Sequence, residues 1–239
     1  MTCPKDDSAS CCGLCDYNPI VVIATHERKD ITTRNINSLK AQSFLPKIVI
    51  VCSDHQELEY YKTLGVSVML EPNRPLGKKW QAGVNLAVKM GANPLVILGS
   101  DDILSKDYVK LSLQKLREGF DFIGTTHWVS LEPEKKQIYH SHYVGVNENY
   151  PIGSGKVYSK RLLDKIGNLV FDVKAEKRLD DNGHKMITNR NPKIFLFKEP
   201  MILAVKGNWK QLNPFDKYLN VPTIKSVKIK EDILEKFIW

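Results

Sequence analysis

The sequence predicts an α/β fold, a mostly parallel central sheet flanked by helices within a single domain. Three observations predict it. Short β-branched runs recur along roughly the first hundred residues, amphipathic stretches separate them, and most of the runs end in polar or acidic residues. Near-continuous apolar strands are those buried on both sheet faces, and their alternation with helices makes neighbouring strands parallel.

Pro19-Ile20-Val21-Val22-Ile23-Ala24 is the first strand, and it gives way to Thr25-His26-Glu27-Arg28. Ile31, Ile36, Leu39 and Phe44 then recur at about helical spacing, and Pro46 closes the connection. Residues 47–52 form a second apolar strand that ends at Ser53-Asp54-His55. A helix over 57–64, a stop at Gly65 and a strand over 66–70 follow. Residues 77–90 read as a helix, and 94–98 as a fourth strand ending at Gly99-Ser100-Asp101-Asp102. In such sheets ligands sit beyond the carboxyl ends of the strands, so these polar termini converge on one crevice.

Past Asp107 the rhythm changes. A helix over 108–117 leads to a strand over 120–124 and a polar, aromatic, strand-like stretch through Tyr143 and Val144. Gly153-Ser154-Gly155 is a turn before a strand over 156–158 and a helix over 160–166. Asp180 and Asp181 stand near the start of another helix. Strands over 193–197 and 201–205 and a closing amphipathic helix over 231–239 complete the chain. The expected organisation is a flexible Cys-rich tail (1–18), a nucleotide-binding half (19–107), a second substrate half (108–205) and a C-terminal extension (206–239).

The 239 residues, 42% hydrophobic and 26% charged, suit one large globular domain. No apolar run approaches the roughly 18 residues that span a bilayer, and residues 1–18 lack the apolar core of a secretory signal. The reading therefore places the protein in the cytoplasm. A net charge of +8 favours an anionic partner. A nucleoside diphosphate and nucleic acid are both candidates, though no nucleic-acid-binding pattern accompanies the charge, and a basic balance alone is more often a solvated surface. Cys3, Cys11, Cys12 and Cys15 crowd the N-terminus, where Cys12-x-x-Cys15 has a zinc-compatible gap. The segment has no matching second pair and almost no apolar residues, so the expectation is a reduced tail. Cys52 reads as a small buried residue.

Asp101 and Asp102 carry the chemistry. Adjacent carboxylates behind a buried strand repel unless a cation neutralises them, and Mg2+ or Mn2+ suits oxygen ligands that share the ion with a phosphate. A helix N-cap is the alternative for the dipeptide alone. Asp54 is placed to meet a base or ribose, or to close a turn; its residues leave both open. Arg74-Pro75-Leu76-Gly77-Lys78-Lys79-Trp80-Gln81 sets basic residues on a loop entering a helix, where phosphate is favoured. It is not a P-loop, because the upstream glycine is absent and Lys79 stands at the Ser/Thr position. Lys206 could return a cation to a diphosphate. His127, Trp128 and the region from His140 to Tyr143 offer rings for a ligand to stack on, or simply pack an edge strand, and Gly155 allows close backbone approach.

Taken in order, these motifs resemble glycosyltransferase family 2, the inverting nucleotide-sugar transferases of GT-A (Rossmann-like) fold. The family's Thr-Tyr-Asn-Arg-like turn appears as Thr25-His26-Glu27-Arg28, and its Ser-Leu-x-x-Gln as Ser38-Leu39-Lys40-Ala41-Gln42. Val-Asp-Asp-Gly becomes Val51-Cys52-Ser53-Asp54, and Gly-x-x-x-Ala-x-Asn-x-Gly is echoed by residues 77–83, with Gln81 where asparagine is usual. Leu-Asp-x-Asp-Asp becomes Leu98-Gly99-Ser100-Asp101-Asp102, with Gly99 in place of the first aspartate. The resemblance spans residues 19–205.

It implies transfer of a sugar from a nucleoside-diphosphate sugar, UDP-sugar favoured, to a hydroxyl of a glycan or glycoconjugate, with Mn2+ or Mg2+. Thr25, Glu27, Arg28, Asp54, Lys78, Gln81, Ser100, Asp101 and Lys206 would bind the donor, and Asp101 with Asp102 the metal. Asp180 or Asp181 would be the general base, and His127, Trp128 and Gly155 would line the acceptor. His184 is a further candidate metal ligand. Likeness to small stand-alone transferases of large DNA viruses and bacteria points to rhamnosyl or galactosyl transfer, in the host cytoplasm if viral. Two other classes stay open. A GT-A-like sugar-phosphate nucleotidyltransferase would carry a glycine-rich loop after the first strand, which Thr25 to Arg28 lacks; a non-catalytic binding module would lack turnover.

Overall fold

The computed structural model describes residues 13–177, 179, 187–207 and 221–238. Strand β1 (Ile20–Ala24), helix α1 (Lys29–Lys40), β2 (Lys47–Cys52), α2 (His55–Thr63), β3 (Ser67–Leu70), α3 (Leu76–Lys89) and β4 (Leu95–Ile97) follow in the predicted order. β1 pairs in parallel with β2 on one side and β4 on the other, and β2 pairs in parallel with β3. After β5 (Asp102–Leu104) come α4 (Tyr108–Arg117), β6 (Phe122–Thr125), β7 (His127–Glu132), β8 (Gln137–Tyr143), β9 (Lys156–Tyr158), α5 (Lys160–Lys165), β10 (Ile194–Phe197), β11 (Ile202–Val205) and β12 (Ile224–Lys228).

These strands form two sheets. The larger has the order β10-β6-β9-β4-β1-β2-β3 and is parallel except for β9, which runs against both neighbours. β1 is apolar throughout because both of its faces are covered. Val21 and Ile23 pack with Ile36 and Leu39 of α1 and Leu113 of α4, whereas Ile20 and Val22 pack with Val84 of α3 and Leu162 of α5. Helix α3 lies close on the sheet at Gly83, where a Cβ would come within 2.6 Å of both Val22 and Val51. This close packing gives the glycine of the residue 77–83 motif its physical meaning.

The second sheet, of order β12-β8-β7-β11-β5, is antiparallel apart from the β7–β11 pair. Its apolar face carries Ile103, Val129, Leu131, Ile138, Leu203 and Val205 against Phe237 near the C-terminus.

Several expectations need correction. The acidic pair does not cap a helix: residues 98–101 are a loop and turn, and Asp102 opens β5 and pairs opposite Ala204 of β11. Residues 224–228 form a strand that the sequence reading missed, and residues 231–236 form a 3-10 helix rather than a closing α-helix. The tail is anchored at its end. Leu14 is buried, and the Asn18 side chain donates to the carbonyls of Met90 and Gly91. Cys15 is disulfide-bonded, against the reduced reading.

Gln81, expected at the nucleotide, is buried inside the fold. Its Oε1 accepts from the backbone N–H of Val170 and of Phe171, both at 3.0 Å, and its Nε2 donates to Asn168 O and Asn85 Oδ1, both at 2.8 Å. The amide is saturated and ties α3 to the segment after α5. Replacing it strands two buried N–H groups, so Gln81→Leu should destabilise the fold by about 2–4 kcal/mol in denaturant unfolding. A loss under about 0.5 kcal/mol would contradict the assignment.

Candidate functional site

The crevice lies where the large sheet reverses direction. From β1 the chain winds toward β2 and β3 on one side, while β4 lies on the other. Loops at such a switch point diverge and leave room for a ligand beyond the strand ends. Residues 25–28 follow β1, Ser53 and Asp54 follow β2, and residues 99–102 follow β4.

Asp101 stands at the centre. Lys206, just past β11, places Nζ 2.9 Å from Asp101 Oδ2. Arg28, at the head of α1, places Nη1 3.6 Å from Oδ1 and donates to Ser100 Oγ at 3.2 Å. Burial works against the charged carboxylate, but Lys206 and then Arg28 outweigh it and hold Asp101 below the usual carboxylate range. Backbone bonds brace the same corner: Val205 N donates to Asp101 O, and Lys206 N to Leu131 O.

Asp102 is the strained partner. Burial and then the charge of Asp101 push its carboxyl up to about 6, although Lys206 and the Ser154 hydroxyl favour the charged form. That hydroxyl also accepts from Gly99 N at 2.9 Å, and the Gly99 carbonyl accepts from Asn35 Nδ2 at 3.0 Å. A Cβ at residue 99 would fall 2.2 Å from Asp102 Oδ2. Residue 99 is therefore a glycine where the Asp102 carboxylate needs the space.

A third cation closes the other side. Lys79 is almost wholly buried and donates to Thr25 O, Ser53 Oγ and Asn73 Oδ1, so it joins the ends of β1 and β2 to the loop before α3. Burial brings its amine down to about 8 against the opposing pull of Glu57, Cys52 and Asp54. Glu57 is buried beside it, and its carboxylate oxygens make no hydrogen bond of ordinary geometry among the described residues. Burial first, then Asp54, raises the Glu57 carboxyl, while the Ser53 and Glu27 amides and Lys79 favour its charge.

The structure thus brings Arg28, Ser100, Asp101, Asp102 and Lys206 together, with Thr25 and Asp54 on the adjoining strand ends. The Thr25 hydroxyl meets Thr32 at 2.9 Å, and Asp54 caps α2 by accepting from Glu57 N at 2.8 Å. Glu27, in a left-handed turn conformation, has its carboxylate 3.8 Å from His26. Lys78 instead points outward and pairs with Glu71 at 2.9 Å, because on a helix the neighbouring residue faces another way. It is Lys79 that enters the crevice. Charge alone did not separate the two; helical phase did.

The acceptor-side expectations fare differently. Trp128 is buried in the main core, donates to Ser130 Oγ at 3.1 Å and meets the Tyr143 ring edge-on, so no sugar reaches its face. Gly155 is required by packing, since a Cβ there would lie 2.4 Å from Ile202 Cδ1 at a φ of +72°. His127 opens β7, the end opposite Leu131 and Lys206. Asp180, Asp181 and His184 lie outside the described residues.

With the geometry in hand, comparison shows what the chain is similar to. No protein-family model matches it, and no curated protein matches it in sequence. Among solved structures, S. aureus TarS superposes with a TM-score of 0.60 at 18% identity over 79% of this chain and 36% of that one. CMP:2-keto-3-deoxy-manno-octonic acid synthetase complexed with CTP superposes with a TM-score of 0.50 at 12% identity, over 76% of this chain and 89% of that one. At these identities the likeness is one of fold. The chain has the GT-A-like α/β architecture, a mostly parallel central sheet flanked by helices, and it spans about a third of the length of TarS.

The Gly99–Asp102 contact is testable in isolation. Gly99→Ala should cost about 1–3 kcal/mol of stability through overpacking. In the Asp102→Ala background the same change should cost much less, a coupling of at least about 0.5 kcal/mol. An additive cycle would show that the two groups do not meet.

Proposed function

We propose that the chain is an inverting glycosyltransferase that uses a nucleoside-diphosphate sugar and a divalent cation, Mn2+ or Mg2+. The carrying observation is the cluster of buried Asp101, Asp102 and Lys206 with half-buried Arg28 at the switch point of a nucleotide-type sheet. The fold likeness to TarS, a glycosyltransferase, supports the same reading.

The donor set fits the ion. It is made of carboxylate oxygens, which suit Mg2+ and Mn2+. Without substrate, two carboxylates face two side-chain cations, and their formal charges cancel. A nucleoside diphosphate adds about two negative charges, and a divalent ion on Asp102 and Asp101 restores the balance. When bound, that ion supplies charge neutralisation to the departing diphosphate.

Arg28 and Lys206 then hold the phosphates, and the ends of β1 and β2, with Thr25 and Asp54, receive the nucleoside. The acceptor hydroxyl must lose a proton to a carboxylate on the face opposite the diphosphate, which makes displacement direct and inverting. Asp180 or Asp181 takes that role in this reading, on the strength of the family resemblance. Leu179 just before them packs on the face of the sheet that carries α3 and α5. The sugar, rhamnose or galactose by analogy, and a UDP carrier belong to the same proposal, as does a glycan acceptor.

The fold likeness to the CTP-bound synthetase keeps one second reading in view, a sugar-phosphate nucleotidyltransferase. A panel of nucleotide sugars incubated with Mn2+ separates the two. The transferase releases a nucleoside diphosphate from at least one of them; pyrophosphate release from a sugar phosphate and a nucleoside triphosphate would overturn it. Asp180→Asn or Asp181→Asn should lower turnover by about 100-fold or more with donor binding intact. Near-wild-type rates in both would remove the base assignment.

The pH dependence has a defined sign. Protonated Asp102 cannot ligate a cation, so metal-dependent nucleotide affinity should be full above about pH 7 and fall as pH drops through about 6. The raised folded value also opposes stability: the metal-free fold loses the Asp102 contribution as pH rises from 3.8 through about 6. Asp102→Asn should therefore raise Tm at pH 7 while removing the Mn2+ response. A lower Tm, or a retained response, would contradict this.

A further inference from the structure

The second sheet carries a cluster that the crevice does not use. His127 on β7 lies directly opposite His142 on β8, and His140 is two residues away on the same strand. Alternate residues of a strand share a face, so all three rings project from one side of the hairpin. Their available ring nitrogens lie within 4.8 Å of one another, and all three side chains are half-buried.

Close contacts join the rings. His127 Nδ1 and His140 Nε2 are 3.0 Å apart, with one of them carrying the hydrogen. The His127 and His142 rings stack with centroids 4.9 Å apart and planes 9° from parallel. Among the described residues no carboxylate pairs with any of the three.

We infer that His127, His140 and His142 form a binding site for a divalent transition metal ion of the Zn2+ class. Two nitrogens that share a tetrahedral Zn2+ at about 2.0–2.1 Å must lie roughly 3.3 Å apart. One pair is already inside that distance, and modest ring rotations about χ bring in the third. Imidazole ligands select Zn2+, Co2+, Ni2+ or Cu2+ over Mg2+ and Mn2+, which prefer oxygen.

The site is separate from the acidic pair and independent of the transferase reading. Lys206 meets β7 at Leu131, near its far end, whereas His127 begins the strand. Four residues of strand put the two about 13 Å apart along its axis. The hairpin face between them is filled by Val129, Leu131 and Ile138. Three protein ligands leave one tetrahedral position for water.

The test uses the full chain without an affinity tag, stripped by chelator and titrated with Co2+ and then Zn2+. The site predicts one equivalent of Co2+ with visible d–d absorption, displaced by Zn2+ and preserved in Asp101→Asn/Asp102→Asn. His140→Gln and His142→Gln should each lose that absorption and weaken Zn2+ binding by about 100-fold or more. An unchanged spectrum in both variants, or no Co2+ absorption in the wild-type chain, would overturn the proposal. Should the variants fail to fold, Zn2+ protection of these histidines from diethyl pyrocarbonate, read by peptide mass, decides it: unprotected rings reject the site.

Discussion

Lys206 reaches Asp101 across 2.9 Å with both side chains nearly out of water, and the crevice is arranged around that contact. Asp101 follows β4 of the large sheet, while Lys206 follows β11 of the second sheet. Their bond, backed by the backbone bond from Val205 to Asp101, fixes one sheet against the other. Removing one partner of such a buried pair leaves an uncompensated charge, at a cost of about 3–5 kcal/mol. The charges cancel only when Arg28 also holds its place at the head of α1.

This balance sets up the chemistry and also strains it. Asp101 is held charged by two cations, whereas Asp102 beside it is burdened by burial and by Asp101. The site is therefore short of positive charge on one side only. Gly99 sharpens the asymmetry, because its missing side chain is what lets the Asp102 carboxylate sit there. On the proposed reading, the stability given up at Asp102 is recovered when a cation binds there.

The first half of the fold was legible in the sequence because its signals are local. β1, β2 and β4 are apolar runs with both faces buried, and the helices between them carry regular apolar spacing. The second sheet was harder to read. β5 has three residues and depends on β11, about one hundred positions later, while β12 reads Ile-Lys-Ser-Val-Lys, with a lysine on each face and no apolar face of its own. Within the site, Asp101 was readable from strand position. Lys79 and Glu57 were not, because their roles depend on helical phase and burial, and Gln81 was misread because its partners lie near residue 170.

The same limit explains the histidines. The spacing of His140 and His142 is visible in sequence, but only the register of the hairpin brings His127 opposite them. For the crevice, one measurement bears most directly on the account: calorimetric titration of the chain with UDP, GDP and dTDP, with and without Mn2+, alongside Asp101→Asn. At least one nucleotide should bind the wild-type chain, at least about tenfold more tightly with Mn2+ (about 1.4 kcal/mol), and Asp101→Asn should abolish the Mn2+ effect. No metal-dependent binding of any of the three, or an undiminished Mn2+ effect in the variant, would contradict it.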